Sequence, residues 1–220
     1  VGLAGNSFSV GTTWVSSWFS KRRNGLAMGV FGAGNVGASV TKFIGPAIIA
    51  GTTGTVFLGG LVPGGWRLVP VIYAVLLLVT AVTLWFVCPS PDRTPASGRR
   101  LRDQLEPLKS ARVWRFSLYY VAVFGAYVAL SAWMPKYYVD TFDVPTGTAA
   151  LLTATFIFPA SLMRPLGGTM SDRMGARKVT FLSFYVMTAC AALLTLPFIT
   201  NVWLFTLILF VLGCAMGVGK

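Results

Sequence analysis

The chain has 220 residues, 55% of them hydrophobic and only 11% charged, with a mean hydropathy of +0.71. A soluble domain carries about 25% charged residues, so a water-soluble globule is excluded and an all-α integral membrane protein is expected. With no histidine in the chain, neither a metal cluster nor a Cys/His catalytic pair can be assembled, and no metal or cofactor is expected.

The net charge of +12 is informative through its placement. Thirteen of the 18 basic residues fall in three alternate loops, around Lys21–Arg23, Arg93–Arg115 and Arg173–Lys178. The positive-inside rule makes that side cytoplasmic, so loops 20–25, 89–112 and 171–178 are expected at the inner face of a cell membrane. Nucleic-acid binding is disfavoured, because no soluble module interleaves basic and aromatic residues.

In chain order, the first apolar segment, residues 1–19, is rich in hydroxyls, and Phe8, Thr12 and Ser16 share a face. Hydroxyls in membrane helices often bond back to their own backbone. Lys21, Arg22 and Arg23 end this span. Residues 25–50 then read as one continuous helix of roughly 39 Å, long enough to cross a bilayer with tilt. Gly25, Gly29, Ala33, Gly37, Thr41 and Gly45 recur at every fourth position. Such a face has almost no side chains, so another helix backbone can approach closely. A neighbouring face carries Phe31, Asn35, Ser39 and Lys42, polar groups that must avoid hydrocarbon and face a wet interior. Gly32, Gly34 and Gly37 also satisfy the dinucleotide-binding glycine pattern, but no strand precedes them and no acid lies between Gly37 and Asp92.

Residues 52–65 read as an external loop and Trp66 opens a third span to Cys88. The polar stretch 89–112 reads as a cytoplasmic linker with room for a short amphipathic helix in its second half. It divides 1–88, the end of one helical bundle, from 113–220, the start of a second. The fourth span, about 113–138, places Tyr120, Phe124, Tyr127 and Ser131 on one face. The fifth, about 148–171, contains Arg164 some 12 Å from the water boundary near Asp172. An arginine there costs ~2.5 kcal/mol or more. Snorkelling to the surface is the alternative, but the small neighbours Ala160, Ser161, Gly167 and Gly168 leave room for a pocket around the guanidinium. A sixth span is expected over about 179–199 and a seventh from about 202. The chain opens and closes inside apolar segments, so it is expected to be an internal piece of a longer protein.

The loop Gly168-x-x-x-Asp172-Arg173-x-Gly175-x-Arg177-Lys178 resembles the cytoplasmic-loop signature of the major facilitator superfamily. The run Phe31-Gly32-Ala-Gly34-Asn35-Val-Gly37-Ala-Ser39 resembles the nitrate signature of its nitrate/nitrite porter family. Together they imply a register from span four to span ten, about seven transmembrane helices drawn from two six-helix bundles. The resemblance implies a secondary transporter of nitrate and/or nitrite, by proton symport or nitrate/nitrite antiport, that works as a monomer in the lipid bilayer and is not an enzyme. It implies an anion site between the bundles, with Arg164 as one of two arginines and the other outside this chain. Asn35 matches the signature asparagine, Tyr120 and Phe124 match site residues, and Phe8 resembles the sandwiching aromatic. Gly29, Gly32, Gly34, Gly37 and Ser39 belong to the packing signature, and Gly168, Asp172, Arg173, Gly175 and Arg177 to the conformational-switch loop.

The residue chemistry points the same way. A guanidinium offers paired N–H donors to a flat oxyanion and stays charged at physiological pH. All six acids lie in loops or at helix ends, which keeps the interior positive. A porter of the same superfamily for another small anion or a drug-like substrate is the alternative reading.

Overall fold

The computed structural model describes residues 2–60, 62–88, 105–197 and 199–220. By internal contacts the chain forms two compact units, Val1–Ser39 with Ala96–Lys220, and Val40–Pro95.

The first unit begins with α1 (Gly2–Trp18) and α2 (Asn24–Ala33). A 3₁₀ turn, Gly34–Val36, follows α2, and α3 (Gly37–Thr52) starts immediately after it. The continuous helix expected over 25–50 is therefore broken at Asn35. Gly32, Gly34 and Gly37 are poor helix formers, and the Asn35 side chain competes with backbone bonding. The sequence pattern registered the apolar length but not this weak point.

The rest of the unit is helical. It contains α5 (Ala111–Tyr120), a π-helical turn (Val121–Gly125), α6 (Ala126–Phe142), α7 (Thr146–Leu162), α8 (Arg164–Met174), α9 (Ala176–Leu194) and α10 (Val202–Gly219). Helices α7 and α8 form one membrane-length span with a break at Met163. Pro165, at the start of α8, has no N–H for the carbonyl of Ser161, so the ladder resets one residue before Arg164. The core lies among α6, α7 and α10, where Tyr138, Phe156, Ile157 and Leu209 are fully buried. The Tyr138 hydroxyl shares a 2.8 Å hydrogen bond with Thr206 Oγ1, and Phe205 packs edge-on to the Tyr138 ring. Helices α7 and α10 close at Gly217, where a Cβ would stand 2.9 Å from both the Pro159 carbonyl and Met163 Cβ. This is the small-residue packing that lipid-embedded helices use.

The second unit contains most of α3, a hairpin of two short antiparallel strands and α4 (Leu68–Val87). Strands β1 (Val56–Phe57) and β2 (Val62–Pro63) pair Val56 with Pro63 and Phe57 with Val62 within the expected external loop. The Thr41 and Tyr73 hydroxyls hydrogen-bond between α3 and α4. None of the α4 side chains is buried, which suits a helix apolar on every side in lipid.

Five helices among the described residues are long and apolar enough to cross a membrane, over 65–87, 111–142, 146–174, 176–194 and 202–219. The other two expected spans correspond to α1, with 17 residues, and to the interrupted α2–α3 pair. Of the linker, 89–104 lie outside the described residues. From Glu106 to Lys109 the chain makes a 3₁₀ turn that leads into α5.

Candidate functional site

Arg164 is 5% exposed and points into the first unit. Its Nη1 donates to the Gly32 carbonyl at 2.8 Å. The Asn35 amide, oriented so that donors meet acceptors, turns its oxygen to the guanidinium and accepts from Nη2 at 2.8 Å and Nη1 at 3.1 Å. Both contacts fall at the break in the glycine helix. In a 3₁₀ turn each N–H reaches back three residues instead of four. The Gly32 carbonyl, at the entry to this turn, accepts from both the Gly34 N–H and Arg164.

A guanidinium has five N–H donors. Three of them go to Gly32 and Asn35. The two that remain are Nε–H, buried without a partner among the described residues, and one hydrogen of Nη2. They lie on one edge of the planar group, the paired geometry that matches a carboxylate-like or nitrate-like oxyanion.

A cavity of about 390 Å³ opens beside this group, lined by Phe8, Thr12, Tyr120, Arg164 and Lys220 among others. Phe8 packs on Phe31 with ring centroids 5.5 Å apart. Tyr120 is 45% exposed and stacks on Phe124 at 5.1 Å with planes only 14° apart. Phe124, in the π turn, does not line the cavity but packs on two residues that do, Tyr120 and Lys220. The turn adds a residue to the helix, re-aiming the stripe of Tyr120, Phe124 and Tyr127. The hydroxyls of α1 behave as ordinary membrane-helix hydroxyls: Thr12, Thr13, Ser16 and Ser17 all bond to backbone carbonyls of their own helix.

The glycines divide into two groups. A Cβ at Gly29 would lie 2.5 Å from the Arg164 carbonyl oxygen and 2.7 Å from Pro165 Cα. At Gly32 it would meet Arg164 Nη1 at 2.8 Å, and at Gly25 the Gly168 carbonyl at 2.6 Å. Gly34 and Gly37, by contrast, face open space. Close approach thus uses Gly25, Gly29 and Gly32 against α8 and does not extend through Gly37. Ser39 is fully buried with its hydroxyl unpartnered among the described residues. Gly167 and Gly168, expected to leave space around the guanidinium, line the cavity with Arg164, and each also admits neighbouring backbone, Val218 at Gly167 and Gly25 at Gly168.

Asp172 reaches across to the start of α2, where its two carboxylate oxygens each accept at 3.0 Å, from Gly25 N–H and Leu26 N–H. A carboxylate there meets both the orphan donors and the positive end of the helix. Arg173 is exposed in the last turn of α8, and Gly175 joins α8 to α9 at φ 88°, a conformation that favours glycine. Arg177 lies over the Phe181 ring at 5.7 Å.

One cavity residue went unassigned by the sequence reading. Lys220 follows α10, and its Nζ lies 3.0 Å from the Tyr127 ring centroid and 5.5 Å from that of Phe124. A single lysine after Gly217-Val-Gly carries no pattern, and only its surroundings reveal it.

Apolar helices of membrane length around a cavity lined by cationic side chains define a multi-pass membrane protein of the solute-carrier class. The chain belongs to the Major Facilitator Superfamily, whose family profile matches residues 1–219. It is 56% identical to the "Probable nitrate/nitrite antiporter NarK1" of Thermus thermophilus, with all of this chain and 54% of the relative covered. It is 30% identical to the "Probable nitrate transporter NarT" of Staphylococcus epidermidis and 28% identical to the "Nitrite extrusion protein" of Bacillus subtilis. In both alignments the whole chain is covered, with 53% and 52% of the relatives respectively. The chain spans about half the length of these relatives.

Proposed function

We propose that the protein carries nitrate and/or nitrite across the cell membrane by alternating access. The observation that carries this reading is the inward, buried guanidinium of Arg164, whose Nε–H and second Nη2 hydrogen have no partner among the described residues. An anion docking there receives two parallel N–H bonds, and Asn35 holds the opposite edge so that the fork is fixed before the anion arrives. Phe8 and Tyr120 offer flat faces that suit a flat ion. The names of the similar antiporter and transporters support the same substrate.

In this reading residues 1–88 and 113–220 belong to two bundles joined by the linker, and loops 20–25, 89–112 and 171–178 are cytoplasmic. The clasp between Asp172 and the start of α2 holds the cytoplasmic side shut, and its release opens the path inward. An anion on Arg164 reduces the repulsion among cavity cations and favours closure around it. The reading is tested by nitrate uptake into proteoliposomes holding the full-length protein. Wild type should concentrate or exchange nitrate and Arg164→Lys should not, because an ammonium cannot reproduce the two-pronged contact. Near-normal uptake by the lysine variant would overturn the role given to Arg164.

A further inference from the structure

We propose that Lys220 is a second cationic ligand for the anion in this cavity, facing Arg164 across it and supplying the donors that the guanidinium edge cannot. The proposal rests on the function given above and adds a residue to it.

Three observations carry it. Lys220 and Arg164 line the same cavity, together with Tyr120. The Lys220 Nζ atom is buried and has no hydrogen-bond partner among the described residues. What it has is aromatic surface, Tyr127 at 3.0 Å and Phe124 at 5.5 Å from the ring centroids. A ring face attracts a cation but accepts none of the three N–H bonds an ammonium can make. Leaving those donors unmatched away from water is costly. The ligands that remove the cost are acceptors, and those of negative charge remove it most effectively.

The surroundings select an anion. Among the described residues, no carboxylate lines the cavity. The charged and titratable groups that line it with Lys220 are Arg164 from α8 and Tyr120 from α5, and Tyr127 from α6 lies beneath the ammonium. Neither tyrosine is a counterion. Two cations around about 390 Å³ repel one another, and a single small anion between them meets both. Tyr127 and Phe124 then act as a rest for the ammonium, holding it near the anion's path without neutralising it. An extended carboxylate ligand is a poorer match, since its apolar remainder would displace the aromatic contact.

The test uses purified full-length protein and nitrate as the probe, read as the nitrate concentration that raises the melting temperature. Lys220→Gln should need roughly tenfold more nitrate or greater, the loss of one charged hydrogen bond, and Lys220→Arg should restore binding to within about threefold on the same scale. A purely structural lysine would lower the melting temperature without nitrate and leave the nitrate dependence unchanged. That outcome overturns the proposal. If Lys220→Gln does not fold, wild-type protein gives the answer through reductive methylation read by peptide mass spectrometry. Nitrate should protect Lys220, and equal labelling with and without nitrate would overturn it. Wild-type protein that shows no response to nitrate sinks the proposed substrate as well, so the two failures are distinct.

Discussion

The Asn35 side-chain oxygen accepts from both Nη atoms of Arg164, at 2.8 and 3.1 Å, and so occupies one edge of the guanidinium, while Nε on the adjoining edge is buried without a partner among the described residues. The pair acts as a mount and a fork. An amide is suited to the mount because it accepts without cancelling the charge that the anion needs.

The first prediction follows from that neutrality. Asn35→Asp keeps the size and the acceptor geometry but adds a carboxylate, which pairs with Arg164 in competition with the anion. The variant should remain folded, with nitrate affinity reduced about 100-fold, since a carboxylate–guanidinium bond is worth ~1.5–3 kcal/mol. Asn35→Ala removes the mount without adding a charge and should lower stability by about 1–3 kcal/mol. Thermal unfolding in detergent with and without nitrate separates the two effects.

A second prediction concerns the fork. In Arg164→Lys the charge remains, but the paired donors and the bond to the Gly32 carbonyl are not reproduced. Nitrate transport in proteoliposomes should fall by about 10- to 100-fold, in line with ~1.5–3 kcal/mol for a charge-assisted pair.

The glycines give a paired prediction. Gly29→Ala pushes a methyl group into the backbone at Arg164 and Pro165, which cannot yield as a side chain end would. It should destabilise the protein by about 1–3 kcal/mol and displace the guanidinium from the cavity. Gly34→Ala meets open space and should leave the melting temperature and transport near wild type. Equal damage from both would show that the α2–α8 contact is not what the Gly29 position protects.

The clasp at the opposite end of α2 gives the fourth. Asp172→Asn leaves one acceptor for Gly25 and Leu26 but removes the charge that faces the helix end. The contact should weaken by about 0.3–1 kcal/mol, less at high salt. A cysteine placed at Ser171, which lines the cavity, should then react several-fold faster with a membrane-impermeant maleimide from the cytoplasmic side, as roughly expected from that loss. Unchanged reactivity would count against a gate at this point.

The legibility of this protein in its sequence differs from residue to residue. Arg164 could be read as inward-facing because a charge deep in an apolar stretch has few places to go, and its partners had to be polar. Asn35 could be read as polar lining from its spacing with Phe31 and Ser39. What no spacing could show is that Arg164 meets Asn35 and its neighbour Gly32, the latter 132 residues away in sequence. The glycine repeat announced close packing but not its extent. Gly29 and Gly37 look alike in sequence, and only the path of α8 distinguishes the crowded one from the open one.

By itself the sequence determined that the chain is a set of apolar helices and that a permanent cation lies within one of the long apolar segments. Those properties follow from local periodicity and from the free energy of placing each residue in lipid, which act along the chain. The tertiary structure alone decided that Arg164 meets Gly32 and Asn35, that Asp172 closes the end of α2, and that the Lys220 ammonium rests on Tyr127. Each of these is a contact between segments far apart in sequence, and its energy depends on packing that no local pattern encodes.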